Sequence, residues 1–492
     1  MELIWNETNA ERLVKTVKTQ FRVSGKLPAP DGRPVAETAG TGAAVKIDSA
    51  VIGENEITLC GKVKAVVTAF GDDRELFSYE STADFENVIK TDGVLVGMRA
   101  EVSTCIQSVS AVPSGNGVDL DADVDVFIMI MTDKPLRVLG GVAGVPDLET
   151  RTSRFPVSKC RSLGNAVLRL REEIAAEDVS RIISCEGTIA VRDVTIDQGG
   201  ASVSGMMTVS GIASSSKGHV SQIIRQLPFH ERIEISGIGS DAFCRATAEG
   251  IYMRALGEEF GIISLEAEVG FEVFCIDHDE AELPTDVFSP SICFDCLTEN
   301  ETIVSFIGDV SAQSSIREAL TLGSSSQDVK EPLFARALPI ITEYSIRDGA
   351  VDVSGIFVTT AVYESTSDRI CTVSEDVPFS VSFDIPAKAD LPVISASCIA
   401  GISSINERSV QIQYNLLLGA KVYSTNKIKA AVGLAETERK DRPGGIVICF
   451  ASEGEDVFDI AKRFGTSCAS VRELNPDIAE PFSEGERLLL LV

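Results

Sequence analysis

Two short pairs, Cys275-x-x-His278 and Cys293-x-x-Cys296, concentrate the most ligating chemistry in this sequence, with fourteen residues between His278 and Cys293. Four soft ligands in two close pairs approach the spacing of a structural tetrahedral zinc site. Against zinc, Cys275 continues the alternating apolar face of Phe271 and Val273, and Cys293 sits between Ile292 and Phe294. Core thiols are therefore expected, with no metal and no other cofactor. The three histidines, His219, His230 and His278, lie in neither a nucleophile elbow nor a His-Glu-x-x-His helix. Gly40-x-Gly42 and Gly140-Gly141 lack the Lys-Ser/Thr that follows a phosphate-binding loop. With 73 Asp and Glu in the chain, any pair chosen by eye reads as a solvated acidic face. No catalytic residue is assigned, and the protein is not expected to be an enzyme.

The last 48 residues carry a binding signal instead. An apolar run from Ile446 ends at Gly454, and Val457, Ile460, Ala461 and Phe464 then recur at helical spacing, with Asp456 placed to cap the helix. Gly465 stops it, Ser467 caps a second helix carrying Val471 and Leu474, and Asn475-Pro476 ends that helix before a closing strand. The order is strand, helix, helix, strand. This pattern resembles the LysM domain, whose signature combines a Gly-Asp-Thr-Leu turn, an Ile-Ala pair on the first helix and Asn-Pro after the second. Here Glu455-Asp456-Val457 stands where that family usually has Asp-Thr-Leu.

The resemblance implies a groove made by Gly454, Glu455, Asp456 and Val457 with Asn475, Pro476, Asp477 and Ile478, where LysM domains take N-acetylglucosamine. None of the eight is aromatic, although neutral sugars usually stack on aromatic rings. The segment also holds nine acidic residues against four basic ones, a net of −5. A protein partner with a basic patch is expected ahead of a glycan.

The whole chain, at 492 residues and 44% apolar content, is long enough for three or four packed domains. Its formal charge of −29 opposes binding to nucleic acid or anionic lipid. The longest apolar run, Val126 to Met131, is far short of a membrane span, and Glu2 and Glu7 interrupt any signal-peptide core. Twelve cysteines spread over this length read as reduced thiols, which suits the cytoplasm.

Between the ends the sequence repeats itself. Gly61, Gly205 and Gly355 each end a strand-like run, and each is followed 24 residues later by Phe85, Phe229 or Phe379. A long alternating run closes each copy: Leu120 to Val126, Leu265 to Val273, and Ile412 to Leu418. Period-two alternation means a half-buried antiparallel strand. The expected fold is mainly β, with three tandem antiparallel sandwich or barrel-like domains at residues 8–138, 150–280 and 300–425, plus a small βααβ LysM domain at 445–492. Linkers are expected at Gly140 to Pro146, Asp277 to Pro290 and Lys427 to Gly445. A helix is expected over Asn165 to Ala176, and another that packs Trp5, Leu3, Ile4, Leu13 and Val14 on the first domain, with an exposed docking segment as the alternative there.

The tandem β copies, with their Val-Ser-Gly and Pro-Phe positions, resemble the SPOCS domains of clostridial spore-coat morphogenesis proteins that also carry one C-terminal LysM. That resemblance implies a non-enzymatic scaffold in the mother-cell cytoplasm, docked through its LysM onto the coat-basement ATPase or other coat proteins at the forespore surface. The alternative is a peptidoglycan binder of cortex or cell wall.

Overall fold

A computed structural model describes residues 2–175, 178–197, 199–234, 242–255, 262–323, 326–347, 349–437 and 444–492. Strand β1 (Glu2–Thr8) opens the chain. The next six strands, β2 (Arg12–Pro28), β3 (Glu37–Ile52), β4 (Glu56–Phe70), β5 (Leu76–Lys90), β6 (Arg99–Pro113) and β7 (Gly117–Thr132), form the antiparallel three-stranded sheet β3-β4-β5 and the antiparallel triplet β6-β7-β2, which is half of a larger sheet. After β8 (Leu136–Ala143), which pairs with β1, the same order recurs. Strands β9 (Glu149–Ala175), β10 (Arg181–Asp197), β11 (Gly200–Ser214), β12 (Val220–Glu234), β13 (Ala242–Ala255) and β14 (Ile262–Phe288) make sheets β10-β11-β12 and β13-β14-β9. Strands β15 (Phe294–Thr321), β16 (Val329–Arg347), β17 (Ala350–Ser365), β18 (Ile370–Asp384), β19 (Leu391–Asn406) and β20 (Ser409–Glu436) make β16-β17-β18 and β19-β20-β15, and the latter joins β2-β7-β6 in one six-stranded sheet through the antiparallel Ile303–Arg12 pair of β15 and β2. The chain is mainly antiparallel β, as its alternation requires.

Each pair of sheets closes on its own apolar core. On β7 the run Asp-Leu-Asp-Ala-Asp-Val-Asp-Val buries Leu120, Ala122, Val124 and Val126 and turns Asp119 and Asp121 to solvent. The continuous run beyond it is apolar on both faces for a different reason. Met129 and Met131 face a second cluster with Val304, Phe306, Val393 and Tyr423 of the third unit. Lys421 of β20 also pairs with Glu101 of β6.

The 24-residue Gly–Phe interval has a direct structural cause. In every unit the two residues are cross-strand partners: Gly61 with Phe85, Gly205 with Phe229 and Gly355 with Phe379. The ring lies over the glycine so closely that a Cβ at Gly205 would fall 2.4 Å from Phe229 Cζ and 2.3 Å from Ala190 O. Gly355 has the same neighbours, with Phe379 Cζ at 2.6 Å and Ile340 O at 2.2 Å. Only hydrogen fits beneath the ring, which is why a glycine sits in mid-strand.

Three expectations change. Residues 165–175 run as strand, not helix, and Ala176 lies outside the described residues. Leu168, Leu170 and Ile174 alternate into the second core, while Arg169 and Arg171 pair across the strands with Glu268 and Glu266. Pairing with β14 along all of β9 overrides local helix propensity.

The segment around Trp5 is likewise a strand, paired with β8, and Trp5 lies under the Arg137 guanidinium at 4.5 Å. The expected linkers are largely strand as well. Residues 277–288 continue β14, residues 427–436 continue β20, and 438–443 fall outside the described residues. These extensions build a further core from Leu136, Val138, Phe155, Val157, Leu283, Ile303 and Ala430.

Candidate functional site

The terminal segment folds as β21 (Ile446–Phe450), α1 (Val457–Phe464), α2 (Cys468–Leu474) and β22 (Arg487–Leu491), with β21 antiparallel to β22. Local chemistry accounts for each boundary. The Asp456 carboxylate accepts from Asp459 N–H at 3.0 Å, and Asp459 accepts in return from Asp456 N–H at 3.2 Å. Gly465, at φ +66°, closes α1 in the left-handed region. Ser467 Oγ accepts from Ser470 N–H and starts α2. Val457, Ile460, Ala461, Val471, Leu488 and Leu490 share one buried interior.

Leu474 does not join them. It is exposed at the last turn of α2, while Phe482 and Ile478 from the following loop pack on the core. Phe482 is buried, and sequence reasoning missed it. Its signal was present, since it is the only aromatic between Asn475 and Glu486.

The expected groove residues divide by role. Gly454, at φ +82°, turns the chain, and backbone bonds Gly454 N–H to Phe482 O and Phe482 N–H to Glu455 O tie that turn to the loop after α2. Glu455 accepts from Ser452 N–H and pairs with Arg463 at 2.8 Å. Val457 is wholly buried, and its N–H donates to Glu480. Asn475 is a clip: its amide donates to Val471 O and Leu489 O and accepts from Leu489 N–H. Pro476 and Asp477 are exposed, and Ile478 is half-buried.

Asp456 is engaged by the protein itself. Arg151 of β9 donates to the Asp456 carboxylate and reaches Asp459 at 2.9 Å, while its guanidinium lies 4.4 Å over the Phe458 ring. Phe458 meets Phe288 of β14 edge to face at 4.9 Å. Lys462 bridges both oxygens of Asp286 at 2.6 Å, and Cys468 N–H donates to Glu149. The module is thus docked by α1 and the start of α2 on the ends of β9 and β14. Burial disfavours ionisation of Asp459, but the Arg151 hydrogen bond, the Asp456 amide and the Arg151 charge outweigh it and hold the carboxyl below its ordinary value. Burial, and then Glu149, push the Cys468 thiol up to about 12.

The four residues weighed as zinc ligands do not form a cluster. Cys275 is buried on β14, and His278, three residues on and exposed, shares a hydrogen bond with Ser158. An interval of three puts their side chains on opposite faces of the strand. Cys293 and Cys296 are half-buried, and the Cys296 thiol donates to Leu297 O. Among the described residues the metal-capable group within 4.8 Å is His219, Glu331 and Glu364, on the second and third units. There Glu364 is already paired with Lys330.

A crevice of about 710 Å³ lies where the three units meet. Arg336 of β16 spans it, donating to Val66 O of β4 and to Ser184 Oγ of β10. Gln222 of β12 ties the second unit to the third through Ala335 and Ala400. Burial pushes the Cys185 thiol in this crevice up to about 12.

These features define a class: a repeated antiparallel β protein with a small two-helix module at one end. Within it, a family model described as the SipL, SPOCS domain matches residues 178–255, which span β10 to β13 and include the Gly205–Phe229 pair. The second unit therefore contains a SPOCS domain. No curated protein and no solved structure matches the chain. Among the described residues no helix is long and apolar enough to cross a membrane.

Proposed function

We propose that the protein is a non-enzymatic adaptor of spore-coat assembly, similar to SipL. In this reading three SPOCS-like domains at residues 8–138, 150–280 and 300–425 encase the spore, and a LysM module at 445–492 docks on the coat-basement ATPase at the forespore surface, in the mother-cell cytoplasm. The observation that carries it is the recurrence, on both sides of the SPOCS match at 178–255, of the same strand order and the same glycine-under-phenylalanine register. Repeated units with weak individual contacts gain avidity without any catalytic centre. The capping box, the Ile460–Ala461 pair in the core and the Asn475 clip support the LysM reading.

A co-sedimentation pair tests it. The full chain should sediment with assembled coat-basement ATPase and stay in the supernatant with purified peptidoglycan. Ile460→Asp, which places a charge in a fully buried position of a small core, should abolish capture. Sedimentation with peptidoglycan alone would replace the adaptor by a cell-wall binder.

A further inference from the structure

Strand β21 is an edge. It pairs with β22 on one side, and among the described residues no strand lies on the other. The bonds Ala451 N–H to Glu486 O and Gly445 N–H to Val492 O set the register of the pair. Gly445, Val447, Cys449 and Ala451 therefore spend their backbone groups on β22, and Ile446 and Ile448 turn theirs outward. The opposite edge of the pair is closed: Asn475 takes both backbone groups of Leu489, and Thr466 donates to Leu491 O.

The outer face of the same two strands is apolar where a solvated antiparallel face normally carries polar side chains. Ile446 is 74% exposed, Ile448 55%, Phe450 64% and Leu491 56%. Across the strands Ile446 stands opposite Leu491 and Ile448 opposite Leu489, so these side chains form one continuous patch. An open edge joined to an exposed apolar face is both a hazard and a template for an added strand.

Charge selects the occupant. The turns flanking the Phe450 end carry four glutamates, Glu453, Glu455, Glu484 and Glu486, against two arginines: Arg463, which pairs with Glu455 and donates to Phe450 O, and Arg487, which stands opposite Phe450. A second copy of this chain would bring −29 against −29. We propose that β21 receives an extended segment of a partner protein as a third strand, with alternating apolar side chains over Ile446, Ile448 and Phe450 and with Lys or Arg beside the glutamates. This assignment rests on the adaptor reading and gives it a contact surface away from the groove in which Asp456 is held by Arg151.

The probe is a Lys-flanked decapeptide of alternating Val and Thr, with a Glu-flanked counterpart, added to the purified full chain. Binding is followed by fluorescence anisotropy and amide hydrogen exchange. The Lys-flanked peptide should bind and slow exchange across 446–450, and the Glu-flanked one should bind at least tenfold more weakly. Ile448→Lys and Ile446→Lys, both at exposed positions, should each weaken binding at least tenfold with an unchanged thermal transition. Equal binding by these variants, or protection elsewhere than 446–450, overturns the proposal. Self-association that Ile448→Lys removes would make the second copy the occupant and overturn it too. Because the probe is synthetic, capture of the ATPase by the Ile448→Lys chain would sink this surface while leaving the adaptor standing. Failure of the wild-type chain to capture the ATPase while the Lys-flanked peptide still protects 446–450 would sink the adaptor and leave the strand-accepting edge.

Discussion

The glycine–phenylalanine pair shows how one steric fact can be written three times into a chain. A methyl group at Gly205 meets a backbone carbonyl at 2.3 Å as well as the Phe229 ring, so moving the ring relieves only part of the clash. Gly205→Ala should cost about 1–3 kcal/mol, and Phe229→Ala about 3 kcal/mol or more, from the second unit. The double variant should cost less than the sum of the two single costs, because the ring no longer opposes the methyl group. Urea unfolding of the four proteins measures this directly, and strict additivity would separate the pair. The interval of 24 was legible in the sequence; that the two residues touch was not, because contact depends on the hairpin register between β11 and β12.

At the scale of elements, the terminal module is fixed to the rest of the chain by what α1 and the start of α2 present to β9 and β14. Arg151→Ala removes two partly exposed ion pairs and the stacking on Phe458, so solvent screening keeps its expected cost near 1–2 kcal/mol. Asp459 makes this contact depend on pH. Its carboxyl is held below the value of the unfolded chain, so the stability it contributes is present above about pH 4 and is lost as pH falls through the folded-state value. Calorimetry of the wild type and Arg151→Ala at pH 7 and pH 3.5 should show their difference shrinking in acid. A difference that stays constant would assign the docking to Phe288 and Phe458 alone. The strand β9 teaches the same lesson. Its sequence from 165 onward favours a helix locally, and a 27-residue partner strand makes it extended.

Over the whole molecule, the three units are pinned together by side chains that reach across boundaries. Arg336 joins β16 to both β4 and β10, beside an apolar cluster that Phe70, Ile212 and Phe334 share across the units. Arg336→Ala should leave Val66 O and Ser184 without those donors and widen the crevice. Expected are a first calorimetric transition lowered by about 2–4 °C for each kcal/mol lost and a broader overall profile. A sharp, unshifted transition would place the cohesion of the units in the apolar clusters they share, one of Phe70, Ile212 and Phe334 and one of Met129, Met131, Phe306 and Tyr423.

The chain by itself determined the elements whose cause is local or periodic. The alternation of Leu120 to Val126, the caps Asp456 and Ser467, and the tripled Gly–Phe interval each specify structure through neighbours in sequence or a fixed period. Tertiary structure decided what depends on distant partners. It turned 277–288 and 427–436 from apparent linkers into strand, left Leu474 in solvent, and set Arg151 against Asp456 across 305 residues of chain. Side-chain type sets what a residue is able to bond, and the sheet register that brings residues hundreds of positions apart to one place sets which bond it makes.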